Sequence, residues 1–125
     1  MSKKILLVDD EPDLLAVLAH RFKTSGYQVE MAGNGQEALE RAREGKPDLI
    51  IMDVIMPDMN GAEVAALLAE DLSMKGVPII FLTALQTKQD EDRQGFDIGG
   101  HTVFAKPFEF AELLEKTKQL IDKEP

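Results

Sequence analysis

The chain contains no cysteine, which removes a disulfide framework, a thiolate zinc site and a thiol nucleophile together. Such a chain suits a reducing compartment. Long apolar runs are missing as well. No stretch approaches the ~20 residues that a membrane-spanning helix needs. The apolar run behind the basic Met1-Ser2-Lys3-Lys4 stops at Asp9, too soon for a signal-peptide core. Positive charge is scarce: 14 Lys and Arg stand against 23 Asp and Glu, a net charge of −9. Direct nucleic-acid binding needs cations to displace counterions from phosphates, and an anionic membrane surface makes a similar demand. Both partners are disfavoured. Only two histidines occur, His20 and His101, too isolated to form an imidazole metal site. Internal repeats, low-complexity segments and linkers are absent too.

What the chain does have is a regular alternation of two patterns. Its 125 residues, 44% apolar, make one ordinary domain with a packed core. Ile5–Val8, Leu49–Met52 and Val77–Leu82 are short apolar runs of the kind found in strands buried on both faces. Tyr27, Val29 and Met31 alternate with polar residues, which predicts a strand with one less buried face. Val103–Ala105 predicts a fifth, short strand. Between these runs, apolar residues recur at helical spacing: Leu14, Leu15, Val17, Leu18 and Phe22 behind Pro12 and ahead of Gly26; then Ala38, Leu39 and Ala42 before a stop at Gly45-Lys46-Pro47. A third set is Val64, Leu67, Leu68 and Leu72, and a closing helix carries Phe110, Leu113, Leu114, Thr117 and Ile121. Asn34 with Glu37, and Asn60 with Glu63, have the spacing of a capping box. A weakly patterned helix is predicted around Lys88 to Ile98, followed by a turn at Gly99-Gly100.

Strands alternating with helices predict a parallel sheet covered on both faces by right-handed crossovers. In such sheets the working crevice lies beyond the carboxyl ends of the strands. Asp9 and Asp10 end the first strand, Asp53 the third, Thr83 the fourth and Lys106 the fifth. Anions delivered to neighbouring strand tips repel unless a cation joins them. One acid of the first pair, Asp53 and a loop carbonyl after it would suit Mg²⁺, which takes hard oxygen ligands and keeps some waters. Lys106 is a point charge suited to phosphate oxygens, Thr83 offers them a hydroxyl, and Ala84 is small enough to leave access above the site. Carboxylate, metal, lysine and hydroxyl together describe phosphoryl transfer onto Asp53. Blander roles exist for each: Asp9 and Asp10 as helix caps, Asp53 as a turn residue, Thr83 as strand packing, Lys106 as a solvated lysine. Their convergence on one edge outweighs these. Asp58 sits out in the loop and is a poor rival to Asp53.

Val8-Asp-Asp-Glu-Pro12, Asp53-Val-Ile-Met-Pro-Asp-Met-Asn-Gly61, Leu82-Thr-Ala84 and Lys106-Pro-Phe108 follow one another in order and spacing so that the chain resembles, over nearly all its length, the receiver domain of two-component response regulators. The resemblance implies a doubly wound five-stranded parallel sheet of flavodoxin-like order 2-1-3-4-5 in a three-layer α/β/α sandwich. The expectation is one receiver domain over residues 1–125 with no output domain in this chain, either a free-standing regulator or a piece cut from a longer protein. Asp53 is then the phosphoacceptor, Asp10 a direct ligand of Mg²⁺ (Mn²⁺ as the alternative), and Asp9 a ligand through water. Ile55 lends its backbone carbonyl to the metal, Thr83 and Lys106 bind the phosphoryl group, and the Lys106–Pro107 bond is cis.

A histidine kinase or histidine phosphotransfer protein is the implied donor, and a downstream protein reads the last helix–strand–helix face, in the cytoplasm. Such a domain promotes its own phosphoryl transfer and dephosphorylation without acting as an enzyme on external substrates. The chain departs from many relatives at three places. Val103 stands where an aromatic ring is common, and Ile55 and Leu85 are apolar where polar groups orient a hydrolytic water. These substitutions predict a long-lived acyl phosphate and a modest switch involving the Gln86 to Gln94 segment. Other classes fit less well. An aspartyl phosphatase resembling this pattern would carry a second Asp where Ile55 stands, and a flavin carrier's first loop would not be Asp9-Asp-Glu-Pro-Asp13. A receiver-like scaffold working without phosphorylation is the remaining alternative.

Overall fold

The computed structural model describes residues 3–74, 76–84, 97–98 and 101–122. The first strand, β1 (Lys4–Val8), leads into helix α1 (Pro12–Thr24), and β2 (Gln28–Ala32) into α2 (Gly35–Gly45). Next come β3 (Leu49–Asp53) and α3 (Gly61–Ala69), then a 3-10 turn at Leu72–Met74 and β4 (Ile79–Ala84). The two-residue β5 (Asp97–Ile98), β6 (His101–Lys106) and α4 (Phe110–Ile121) complete the described elements. The strands form one sheet in the order β2-β1-β3-β4-β6-β5. Apart from β5 all pairings are parallel, so the five-stranded 2-1-3-4-5 order expected from the sequence is present, its fifth member being β6.

Strand alternation divides the core in two. Leu6, Val8, Ile50, Met52, Phe81 and Val103 face one side, where α2 and α3 add Ala38, Leu39, Val64 and Leu68. Ile5, Leu7, Leu49, Ile51, Ile80, Leu82 and Phe104 face the other, covered by Leu15, Leu18 and Phe22 of α1 and Leu113 of α4. Val103 and Phe104 thus lie on opposite faces, as the period of two requires. On α4 the buried Thr117 is satisfied locally, its hydroxyl donating to the Leu113 carbonyl at 2.9 Å. No helix among the described residues is long and apolar enough to cross a membrane.

Local signals set most helix ends. Asn60 and Glu63 form a reciprocal capping box at α3. Asn34 accepts from the Glu37 amide at α2, but Glu37 reaches back one residue further, to the Gly33 amide at 2.7 Å. The end of α2 is a left-handed Lys46 (φ 46°), whose amide donates to the Ala42 carbonyl just before Pro47. Gly26, with φ 101°, turns the chain out of α1.

Three expectations need correction. Leu72 does not continue the α3 stripe: it is 84% exposed, beyond the end of the helix. Asp71 accepts from both the amide and the hydroxyl of Ser73, a local turn that competes with the helix, and Met74 takes the buried place instead. The helix placed around Lys88 to Ile98 fails at its end, where Asp97 and Ile98 pair antiparallel with Thr102 and His101. Pairing with β6 overrides the weak helical pattern there; the remainder of that helix and the predicted Gly99-Gly100 turn lie outside the described residues. Finally, Val17, Met31 and Leu67 are exposed. Val17 lies off the inward stripe of α1, and β2 is an edge strand with limited cover.

Truncation should separate Leu68 from Leu72. Leu68→Ala opens a cavity beside the sheet and should cost about 2–5 kcal/mol in denaturant unfolding, whereas Leu72→Ala should stay within ~0.5 kcal/mol. A loss of similar size for both would place Leu72 in the core after all.

Tyr27, the single tyrosine in a chain without tryptophan, reports the docking of α4. Burial, aided by the Asp122 carboxylate that its hydroxyl meets at 3.2 Å, pushes its pKa up to about 12. A phenol whose folded pKa exceeds its unfolded value near 10 favours folding below pH ~10, and that contribution is lost as pH climbs toward the folded value. Tyrosinate absorbance should therefore rise with a midpoint near pH 12, and Asp122→Asn should move the midpoint part of the way down. A midpoint near ~10 in the folded wild type would contradict the burial of this ring.

Candidate functional site

Three strands deliver charge to the same edge. Asp53 is the last residue of β3, Asp9 follows β1 directly, and Lys106 ends β6. Because Val8 pairs with Met52, parallel register sets Asp9 level with Asp53. Asp53 in turn pairs with Leu82, and Thr83 and Ala84 pair with Ala105 and Lys106. Thr83 is thus one residue beyond the level of Asp53, half-buried, beside the strand that carries Lys106. The Lys106–Pro107 peptide bond is cis, as the resemblance implied.

The Lys106 ammonium donates to Asp9 Oδ2 and to Asp53 Oδ2, both at 3.0 Å, and to Glu11 Oε1 at 3.3 Å. Asp53 Oδ1 accepts from the Ile55 amide at 3.1 Å, and Asp9 Oδ1 from the Glu11 amide at 2.9 Å. Both oxygens of each buried carboxylate are therefore occupied. Asp9 is only 1% exposed, and burial pushes its carboxyl above the usual value, offset in part by the Glu11 amide and Lys106. Burial also works against the Lys106 ammonium, yet its hydrogen bonds with Asp53 and Asp9 outweigh that and hold its pKa above the ordinary lysine range. The lysine stays charged at any physiological pH.

Asp10, exposed, completes an oxygen cluster: one carboxylate oxygen from each of Asp9, Asp10 and Asp53 lies within 4.8 Å of the others. Hard oxygen donors without thiolate or imidazole fit Mg²⁺ or Mn²⁺ better than zinc. Neither Asp9 nor Asp10 is the N-cap of α1, which is Glu11 with no side-chain cap bond, although Asp9 accepts from the Glu11 amide. Gly61 is required to be glycine, since a Cβ there would come within 2.7 Å of the Asp53 carbonyl oxygen. Its amide closes the loop on the Val54 carbonyl at 2.6 Å.

The structure brings together Asp9, Asp10, Asp53 and Lys106, with the Ile55 backbone adjoining and Thr83 on the neighbouring strand. Leu85 and the Gln86 to Gln94 segment lie outside the described residues. Sequence reasoning missed Glu11, whose only signal was its place directly after the acidic pair. It also left Asp58 without a partner, whereas both of its oxygens are engaged at the start of α2.

Residues 5–118 match the family described as "Response regulator receiver domain". The chain is 38% identical over 121 residues to the alkaline phosphatase synthesis transcriptional regulatory protein PhoP of Bacillus subtilis, covering 97% of this chain and 49% of that protein. It is 34% identical over 123 residues to the polar-differentiation response regulator DivK of Brucella anthropi, covering 97% of this chain and 98% of DivK. The chain spans about half the length of the transcriptional regulators it matches. Among solved structures, response regulator protein TrrA of Thermotoga maritima, described in complex with Mg(2+)-BeF, superimposes with a TM-score of 0.78 at 37% identity, covering 94% of this chain and 98% of that one. Fold, motif order and relatives agree, and the chain belongs to the family of response regulator receiver domains.

Proposed function

We propose that this receiver domain is a phosphorylation switch that takes a phosphoryl group on Asp53 from a histidine kinase or histidine phosphotransfer protein. The observation that carries the reading is the Lys106 ammonium held between Asp9 and Asp53 beside the exposed Asp10. A carboxylate oxygen of Asp53 attacks the phosphorus of a phosphohistidine, the P–N bond breaks, and the imidazole leaves with its proton. An acyl phosphate results. Lys106 is already in hydrogen-bond reach of Asp53 Oδ2 and can follow the new negative charge. Thr83 would offer its hydroxyl to the same oxygens.

Asp10, Asp53 and the Ile55 carbonyl would hold Mg²⁺ directly, with Mn²⁺ as a substitute. Asp9, whose two oxygens already serve Glu11 and Lys106, would act through water. A metal bound there would supply positive charge to the phosphoryl oxygens. The TrrA complex supports this choice, because beryllofluoride has the tetrahedral shape of a phosphoryl group. A cleft of about 480 Å³ opens beside Lys106, lined by Leu14, Val17, Leu18, Phe108 and Phe110 together with the charged Glu11, Arg21 and Glu109. It would offer a protein donor a seat of mixed character next to the acceptor. A downstream protein would read the face around the last strand and helix, and the reading puts this exchange in the cytoplasm. No turnover of external substrates is proposed.

Incubation with acetyl phosphate and Mg²⁺ should add one phosphoryl group by intact mass. Asp53→Asn keeps the shape and removes the nucleophile, so labelling should vanish, as it should for the wild type in excess EDTA. Undiminished labelling in either sample would overturn the mechanism.

The acyl phosphate should also be long-lived. Ile55 is 61% exposed at the mouth of the site and has no group to orient an attacking water, which forfeits part of the proximity effect. Ile55→Asn should speed loss of the phosphoryl group several-fold. An unchanged decay rate would show that this side chain does not govern water.

A further inference from the structure

The amides that begin α2 are satisfied from far away in sequence. A helix start leaves its first amides without intrahelical partners. Here Asn34 takes only the third, from Glu37, at 2.8 Å. The first two go to Asp58: Gly35 donates to Oδ1 and Gln36 to Oδ2, each at 2.9 Å. Asp58 Oδ1 also accepts from the Met59 amide at 3.0 Å. Hydrogen bonds from Gly35 and Gln36, above all, hold the Asp58 carboxyl below the ordinary carboxylate value. Packing reinforces the join, since Met59 lies so close over Gly35 that a Cβ there would collide with it.

Asp58 belongs to the loop that leaves Asp53 and carries Ile55. The near limb of that loop is anchored at Val54, whose amide donates to the Leu82 carbonyl and whose carbonyl accepts from Gly61. Met56 is buried in the core beneath it. The far limb is tied to α2 by Asp58. Because Asp9 donates its amide to the Ala32 carbonyl, the strand leading into α2 also supports the β1 end of the site. One framework therefore braces both sources of carboxylate from behind.

We infer that Asp58 is a positioning residue: its grip on the first two amides of α2 fixes the β3–α3 loop, and with it the Ile55 backbone, where the metal site needs it. The inference rests on the function proposed above and adds a residue that the sequence pattern set aside as a loop acid. Residues that orient ligands from behind typically change metal affinity 10–100-fold when lost. Val54 and Met56 still hold the loop, so the lower end applies.

The test uses the full chain with Asp58→Ala and Asp58→Asn. Mg²⁺ affinity is read by calorimetry, exchange of the Ile55 amide by NMR without metal, and labelling by acetyl phosphate across a Mg²⁺ series. Asp58→Ala should raise the Mg²⁺ Kd about tenfold and speed exchange of the Ile55 amide. Its labelling should be slow at low Mg²⁺ and recover when Mg²⁺ saturates. Asp58→Asn, which keeps one acceptor oxygen, should fall between, and serves alone if the alanine variant does not fold. If Tm drops while Kd and Ile55 exchange stay at wild-type values, Asp58 is only a helix cap and the inference is overturned. Should the wild type bind no Mg²⁺, the functional reading fails, and Ile55 exchange by itself decides whether Asp58 restrains the loop.

Discussion

Everything at the carboxyl edge of the sheet depends on one ammonium group set between two buried carboxylates. Asp9 and Asp53 come from strands that are neighbours in space and distant in sequence, and without a cation between them their repulsion would drive those strand tips apart. Lys106 arrives from β6, on the far side of β4, and bonds to both. Its long stem makes that reach feasible, and the order of the sheet makes it necessary. Breaking a buried pair by removing one partner leaves the other charge desolvated and uncompensated. The site is therefore held together by charge pairing that reaches across the sheet from β6 to β1 and β3.

Much of this was legible in the chain because the decisive signals are local and chemical. Apolar runs ending in Asp9, Asp53 and Thr83 located the strand ends, and period-two alternation separated Val103 from Phe104. The Asn60–Glu63 box was readable because its two partners are three residues apart. What escaped was set by competition or by distance. Leu72 has helical spacing from Leu68, but Asp71 diverts the backbone one residue earlier through its bonds to Ser73. Asp97 and Ile98 carry no strand pattern of their own; their pairing exists because His101 and Thr102 lie across the hairpin. Asp58 has no sequence signal pointing to residues some twenty positions upstream, because only the folded chain sets the α2 terminus beside the β3–α3 loop. Glu11 could have been read as a third acid near the lysine, but its reach to Lys106 depends on how the chain turns into α1.

The two faces of the sheet have different relations to the site. Residues on the α2 and α3 face lie beneath the end of β3 at Asp53 and the loop that carries Asp58, so repacking there acts on the Asp53 side of the site. The α1 and α4 face lies beneath Glu11 and the Lys106–Pro107 turn, and its outer margin forms the cleft next to the lysine. Val103, fully buried on the first face, has one stiff rotamer and little volume with which to register a change above it. Phe104, on the second, is separated from it by the sheet itself.

The hairpin formed by β5 and β6 also bears on how the molecule behaves in company. A parallel sheet ends at two edges whose unpaired amides and carbonyls can recruit a strand from another molecule. At one margin β5 covers part of β6 and offers a newcomer only two residues of its own ladder. The opposite margin, β2, begins with the exposed polar Gln28, which an approaching copy would have to accommodate to pair there. Short or polar margins keep the sheet from becoming a template for aggregation.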